Sequence, residues 1–415
     1  MGRSFQRLST TGVLLTANAL RPMGGANPLS IPSFFAGWLT SELAPHLLAL
    51  TGLGTAVHLT HSGLGDRRDR LALGMNAAAA VGLGGLIVQS QHSHRVLERA
   101  LTDDLGDDYV ARLDPAPDRT DLATPWRQIA RPFTMKQEDV RRVADLDYWG
   151  DGHPRHRLDV YLPRRGGTGL PVLLQIHGGA WVIGRKDQQG LPLMTHLAAR
   201  GWVCVAPNYR LSPRAHWPEH LIDLKRSLAW IRDNIASYGG DPDFVAVTGG
   251  SAGGHLAAML ALTPNQPNLQ PGFEAADTTV QACIPHYGVY DLAATTGTRA
   301  AELRRDRFLA RVVIRRDPRH DREVYEQASP LFLAGPDAPP FFVVHGRHDS
   351  LVPVAETRAF VERLRTVSTS PVVYAELPGA QHAFDVFPSI RSAHVVRAVE
   401  RFLRWVHNRP PDSSP

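Results

Sequence analysis

Two cysteines in 415 residues leave no disulfide framework for a small secreted fold. Cys204 and Cys283 both lie in apolar runs expected to be strands. Those strands are not neighbours in the implied sheet, so buried thiols fit better than a bridge. Lysine is almost missing, Lys136, Lys186 and Lys225 being the only three. The other basic residues are arginines, a skew that a GC-rich genome produces. They are scattered and lack interleaved aromatics, so the net charge of +5 does not mark a nucleic-acid surface. The 19 histidines show no metal-ligand spacing, since pairs such as His92/His94 and His58/His61 lack partners. No glycine-rich phosphate loop opens a helix. These gaps exclude nucleic-acid binding and give no reason to expect a metal or any other cofactor. With 20% charged and 43% hydrophobic residues the chain is globular, not disordered.

What is present begins with Val245-Ala246-Val247-Thr248-Gly249-Gly250-Ser251-Ala252-Gly253-Gly254-His255-Leu256. An apolar β-branched run ends in Gly-x-Ser-x-Gly, and a small-residue helix pattern follows at once. This strand, sharp turn and helix is the setting in which a serine hydroxyl is raised for nucleophilic attack. Upstream, Val172–Ile176 runs into His177-Gly178-Gly179-Ala180-Trp181, a loop whose amides can face a developing oxyanion. The amide of Ala252 would be a further donor. Downstream, Phe341–Val344 leads to Asp349, and Val372–Leu377 leads to His382. A serine needs an imidazole to take its proton, and the imidazole needs a carboxylate to fix its tautomer. Ser251, His382 and Asp349 are the candidates for these roles. His345 and His348 rank below His382 as the base because they sit beside the proposed acid. Asp291 ranks below Asp349 because it follows an earlier strand and reads as a loop cap. His177 is expected to orient its loop without moving protons.

Strand-like runs at Leu158–Leu162, Pro171–His177, Trp202–Asn208, Phe244–Thr248, Val280–Tyr287, Phe341–His345 and Val372–Leu377 alternate with helical patterns. The helices are expected at Leu191–Arg200, Glu219–Tyr238, Ala252–Leu262, Ala355–Thr366 and Ser392–His407. That alternation predicts a parallel sheet covered by helices. Between 291 and 340 the pattern breaks, which predicts an insertion forming part of a cap. Its arginines read best as a solvated helix face.

His-Gly-Gly-Ala-Trp, Asn208-Tyr209-Arg210-Leu211-Ser212-Pro213, Tyr238-Gly239-Gly240-Asp241-Pro242, Gly-Gly-Ser-Ala-Gly-Gly-His and Gly-x-Gln-His together resemble the hormone-sensitive-lipase-like esterases of the α/β-hydrolase fold. The likeness runs from about Leu146 to His407 and extends to lipase-esterase proteins of mycobacteria and related actinobacteria. It implies an α/β fold: a mostly parallel eight-stranded sheet with helices on both faces and a cap. It implies a triad of Ser251, Asp349 and His382, and an oxyanion hole from Gly178, Gly179, Ala180 and Ala252. The family loop is usually His-Gly-Gly-Gly, whereas position 180 here is alanine, which still carries an N–H. Trp181, Tyr209 and Phe384 are candidate pocket walls. The implied activity is carboxylic-ester hydrolysis through an acyl-enzyme on a small-molecule or lipid ester. His-Gly-Gly-x-Trp also occurs in arylformamidases, leaving an amidase reading open. A ligand-binding protein on a retired hydrolase fold is the reading from another class.

The first quarter differs in kind. Ile31–Thr60 and Leu71–Val88 are apolar, with Gly65-Asp66-Arg67-Arg68-Asp69-Arg70 between them. Leu71–Val88 is uncharged and just long enough to cross a bilayer. A signal peptide fits poorly, because the apolar region starts late and continues too far. Residues 1–100 therefore form an apolar helical segment, 101–142 a linker including Asp114-Pro115-Ala116-Pro117-Asp118, and 143–410 the catalytic domain. Two placements of the apolar helices stay open. They associate with a membrane in the cell envelope, or they cap the active site of a cytoplasmic protein. A hairpin with its arginine loop in the cytoplasm would put the catalytic domain outside, while Arg3, Arg7 and Arg21 argue the reverse.

Overall fold

Eight strands form one sheet in the order β1-β2-β4-β3-β5-β6-β7-β8. The description comes from a computed structural model and covers residues 2–63, 65–114, 117, 123–135 and 137–409. The strands are β1 Val140–Asp147, β2 Arg157–Pro163, β3 Leu170–Ile176, β4 Val203–Pro207, β5 Gly240–Gly250, β6 Ala282–His286, β7 Phe341–Gly346 and β8 Val372–Leu377. β2 runs antiparallel to both of its neighbours, and every other pairing is parallel. The central strands are apolar throughout because both faces are covered. Val172, Leu174, Val203, Val205, Val245 and Val247 point into one core. The residues between them, such as Leu173, Cys204 and Ala246, point into the other. Both cysteines are free and buried.

Helices α5 Leu191–Ala199, α6 Glu219–Asn234, α7 Ala252–Leu262, α8 Val354–Val367 and α9 Ile390–His407 cover the sheet. Leu221, Leu224, Leu228 and Ile231 of α6 pack on one face with α7 and α8. Leu193 and Leu197 of α5 and Val395, Val399 and Phe402 of α9 pack on the other. β1 was not legible as a strand. It lies at the sheet edge with four of its eight residues exposed and charges in its middle, so no clean alternation marks it. Between β6 and β7 lie the short helices Arg299–Leu303, Arg322–Gln327 and Pro330–Leu333 and a π-helix, Arg304–Val313. Arg307 and Arg311 face solvent there. Arg304 instead turns inward and bonds the buried Glu356 of α8 at 2.7 Å, tying the insertion down.

The first quarter is four helices: α1 Gly2–Leu20, α2 Ser30–Glu42, α3 Ala44–Ser62 and α4 Arg67–Leu105. The apolar stretch 31–60 is broken at Leu43, between α2 and α3. α4 runs well past Val88. Its C-terminal part carries Leu97, Leu101 and Leu105 into the second core. Tyr109 and Leu113, in the segment read as a linker, are buried in the same core. Residues 115, 116 and 118–122 of that segment, and Lys136, lie outside the described residues.

Candidate active site

Ser251 sits between β5 and α7 at φ 59°, ψ −123°. A non-glycine residue there is strained, and such strain collects at functional sites. The turn survives because its flanks lack side chains. A Cβ on Gly249 would lie 2.5 Å from the carbonyl oxygen of Gly253, and one on Gly253 would lie 2.2 Å from that of Ile176. The Ser251 amide donates to the carbonyl of His286 at 3.0 Å, fixing the turn against the end of β6. Its side chain is part-exposed, and its hydroxyl makes no hydrogen bond to a described residue.

His382 and Asp349 meet directly. Nδ1 of His382 donates to Oδ2 of Asp349 at 2.6 Å, and both side chains are buried. Oδ1 of Asp349 accepts the amides of Leu351 and Val352 at 2.9 and 2.8 Å. Nε2 of His345 lies 3.2 Å from Oδ2. Burial alone would raise the Asp349 carboxyl. The charge and hydrogen bonds of His382 and His345 outweigh it and hold the group well below the usual carboxylate range. His345 is held beside Asp349 by its own contacts, Nε2 meeting the Val352 carbonyl at 3.1 Å and Nδ1 meeting Thr357 Oγ1 at 2.7 Å. His348 is turned elsewhere and carries an unpaired buried Nδ1. Asp291 caps its own loop by accepting the Thr296 amide at 2.7 Å.

Three positions joining this machinery escaped the sequence reading. Oε1 of Gln381 accepts the amides of both Ser350 and His382, at 2.8 and 2.9 Å, and so ties the Asp349 loop to the His382 loop. The ring of Tyr287 lies 4.6 Å from that of His382, and its hydroxyl donates to Asp385. Phe34 of α2 stands edge-on to the His382 ring at 5.8 Å. The Gln-His pair was a visible signal for Gln381. Tyr287 and Phe34 carry no motif.

The loop after β3 lies against Ser251. A Cβ on Gly178 would be 3.1 Å from Ser251 Cβ. The Gly178 amide already donates to Oε1 of Gln189 at 2.7 Å, so it shapes the loop and is not free to bind an oxyanion. The amides of Gly179, Ala180 and Ala252 donate to no described residue. Gly179, Ala180 and Trp181 follow one another at φ 120°, 52° and 61°, and a Cβ on Gly179 would fall 2.2 Å from the Ile183 carbonyl oxygen. Tyr209 supports this backbone, its hydroxyl donating to the His177 carbonyl at 2.9 Å while its ring stacks on the His177 ring at 4.3 Å. Burial lowers His177 to about 4, so it stays neutral. Trp181 is buried and donates from Nε1 to His255 Nδ1 at 3.2 Å. Phe384 is buried against Tyr287. All three candidate pocket walls are buried.

The family model BD-FAE matches residues 158–364, from β2 into α8. The chain is 45% identical to the probable carboxylic ester hydrolase LipM of Mycobacterium tuberculosis over 94% of its length and 90% of LipM. It is 41% identical to esterase LipQ of the same organism, over 81% of its length and 80% of LipQ. In fold it is similar to esterase Est2 of Thermogutta terrifontis, with a TM-score of 0.54 at 22% identity over 68% of this chain and 97% of that one. The sheet order, the serine turn and this kinship agree, and the chain belongs to the α/β-hydrolase family of carboxylic ester hydrolases.

Proposed function

We propose that Ser251 is the nucleophile, His382 the general base and acid, and Asp349 the carboxylate that holds His382. His382 takes the Ser251 proton as the oxygen attacks the ester carbonyl. The amides of Gly179, Ala180 and Ala252 hold the oxyanion. His382 then protonates the leaving alcohol, and water repeats the sequence on the acyl-enzyme. The 2.6 Å His382–Asp349 contact beside a strained serine turn is the observation that carries this reading. Trp181, whose place after His-Gly-Gly-Ala raised an amidase, is buried on His255. Phe34 beside His382, with Trp38 stacked behind it on Phe34, supports acyl esters with apolar chains as substrates. The apolar first quarter supports association with a membrane of the cell envelope. Hydrolysis of p-nitrophenyl esters from acetate to palmitate is the test, with Ser251→Ala alongside. Turnover lost in the variant is the expected result, and equal turnover by both would overturn the assignment.

A further inference from the structure

The helices of the first quarter share a small buried apolar cluster of Ala19, Ala44, Leu83 and Leu86, and around it they turn polar groups inward and large apolar ones outward. On α3, Thr51, Thr55 and His58 turn inward, while Leu50, Leu53 and Val57 face out. On α4, Asp69 and Asn76 turn inward, while Leu71, Val81 and Val88 face out, Val81 with 78% of its surface exposed. The inward groups pair with one another. His58 Nε2 meets Asp69 at 3.0 Å, and Asn76 donates to Thr55 Oγ1 at 2.8 Å. On α1, Ser9 and Thr16 are buried, and Leu8 and Leu14 are exposed. Thr16 packs so closely on Gly82 that a Cβ there would lie 2.5 Å from its Cγ2. Paired polar side chains inside and leucine and valine outside are the arrangement that hydrocarbon demands and water penalises; Trp38 Nε1, His46 Nδ1 and Gln89 Oε1 are buried without a partner among the described residues.

Lengths and charges agree with this. Among the described residues α4 alone is long and apolar enough to cross a membrane unaided. Its uncharged stretch Leu71–Val88 spans about 27 Å, and the 19 residues of α3 span about 28 Å, against a hydrocarbon core of about 30 Å. Charge is confined to the ends. The far end holds Asp66, Arg67, Arg68 and Arg70, all exposed. α1 lies parallel to α4, with Phe5 stacked on His58, Thr10 against Met75 and Thr16 against Gly82. Arg3 and Arg7 therefore join the same end as Arg67, Arg68 and Arg70, while Arg21, just past the last turn of α1, lies exposed at the near end. The near end is anchored to the catalytic domain by Glu42 of α2, buried with Arg391 and Ser389.

We infer that α1, α3 and α4 stand in a lipid bilayer, with the arginine end in the cytoplasm and the catalytic domain on the opposite side. Arginine-rich ends stay on the cytoplasmic side. α2 then lies along the outer interface, where aromatic residues collect. Its exposed Phe35 touches Phe34 at 4.8 Å, and Phe34 touches His382. On the ester-hydrolase reading above, this row leads an acyl chain from the outer leaflet to Ser251.

The test is sidedness of the full chain in bacterial cells. Cysteine is placed at the arginine end by Arg68→Cys and on the exposed face of α8 by Glu362→Cys. A membrane-impermeant maleimide is added to intact spheroplasts and to permeabilised ones, and membranes are washed in alkaline carbonate. Glu362→Cys labelled in intact spheroplasts, Arg68→Cys labelled only after permeabilisation, and protein retained through carbonate are the expected results. The reverse labelling pattern would overturn the orientation. Release by carbonate or high salt would overturn insertion. The buried Cys204 and Cys283 keep background labelling low. No readout depends on catalysis, so failure here leaves the Ser251 assignment standing.

Discussion

Asp349 accepts from two backbone amides and from His382, with Nε2 of His345 3.2 Å away, and that crowding defines what its replacement does. Asp349→Asn keeps the shape but offers the wrong group to Nδ1 of His382. The imidazole then loses its orienting partner, and kcat should fall by roughly four orders of magnitude. Single-turnover kinetics check this, with circular dichroism to show an intact fold. A fall of less than ten-fold would remove Asp349 from the proposed role. Tyr209→Phe removes the bond to the His177 carbonyl. It should cost about 1 kcal/mol of stability and lower kcat more than it raises KM, since the free amides of Gly179 and Ala180 lose their support. Denaturant melts and steady-state kinetics measure both. The triad candidates were legible because each follows an apolar strand and a glycine or polar turn. The busy amide of Gly178 was not, because Gln189 sits eleven residues along the chain in a loop without a motif.

At the scale of elements, the buried Glu42–Arg391 pair fastens α2 to α9. Removing one partner leaves a charge stranded in the interior. Glu42→Ala or Arg391→Ala should each destabilise by about 3–5 kcal/mol, whereas replacing both by apolar residues should cost far less. A double-variant loss equal to the sum of the two single losses would show that the pair does not act as a unit. Glu400 of α9 provides a pH test. Burial alone would raise its carboxyl, but His196 of α5 with Arg200 and Arg404 brings it down to about 2. The unfolded carboxyl titrates near 4.3, so the folded state holds its proton less tightly. This contribution is complete above about pH 5 and is lost as pH falls toward about 2. Tm measured across that range should drop less steeply in Glu400→Gln than in the parent. The central strands and the five helices on the sheet were legible from periodicity. β1 was not, because an exposed edge strand with Arg141 and Arg142 has no buried face to impose alternation.

Across the whole molecule, the catalytic domain and the first quarter meet through contacts that span most of the chain. The Ser389–Glu42 bond joins residues 347 positions apart. No local pattern announces such a pairing, which is why Phe34 beside His382 was invisible in the sequence while the apolar character of α2–α4 was plain. The placement reconciles two readings that the sequence set against each other. α2 walls the site, and α1, α3 and α4 present an apolar exterior beyond it. Vesicle-embedded long-chain esters should therefore lose turnover in Phe34→Asp, while hydrolysis of water-soluble acetate esters should suffer less. Equal losses on both substrates would place Phe34 outside the acyl path.

The central claim is that Ser251 attacks the ester carbonyl, and covalent trapping tests it most directly. The full chain is treated with a fluorophosphonate, and the adduct is located by peptide mass spectrometry. One phosphonyl group on Ser251, appearing in step with loss of ester hydrolysis and absent from His382→Ala on the same timescale, is the predicted result. An adduct on another residue, or inactivation without modification of Ser251, would contradict it.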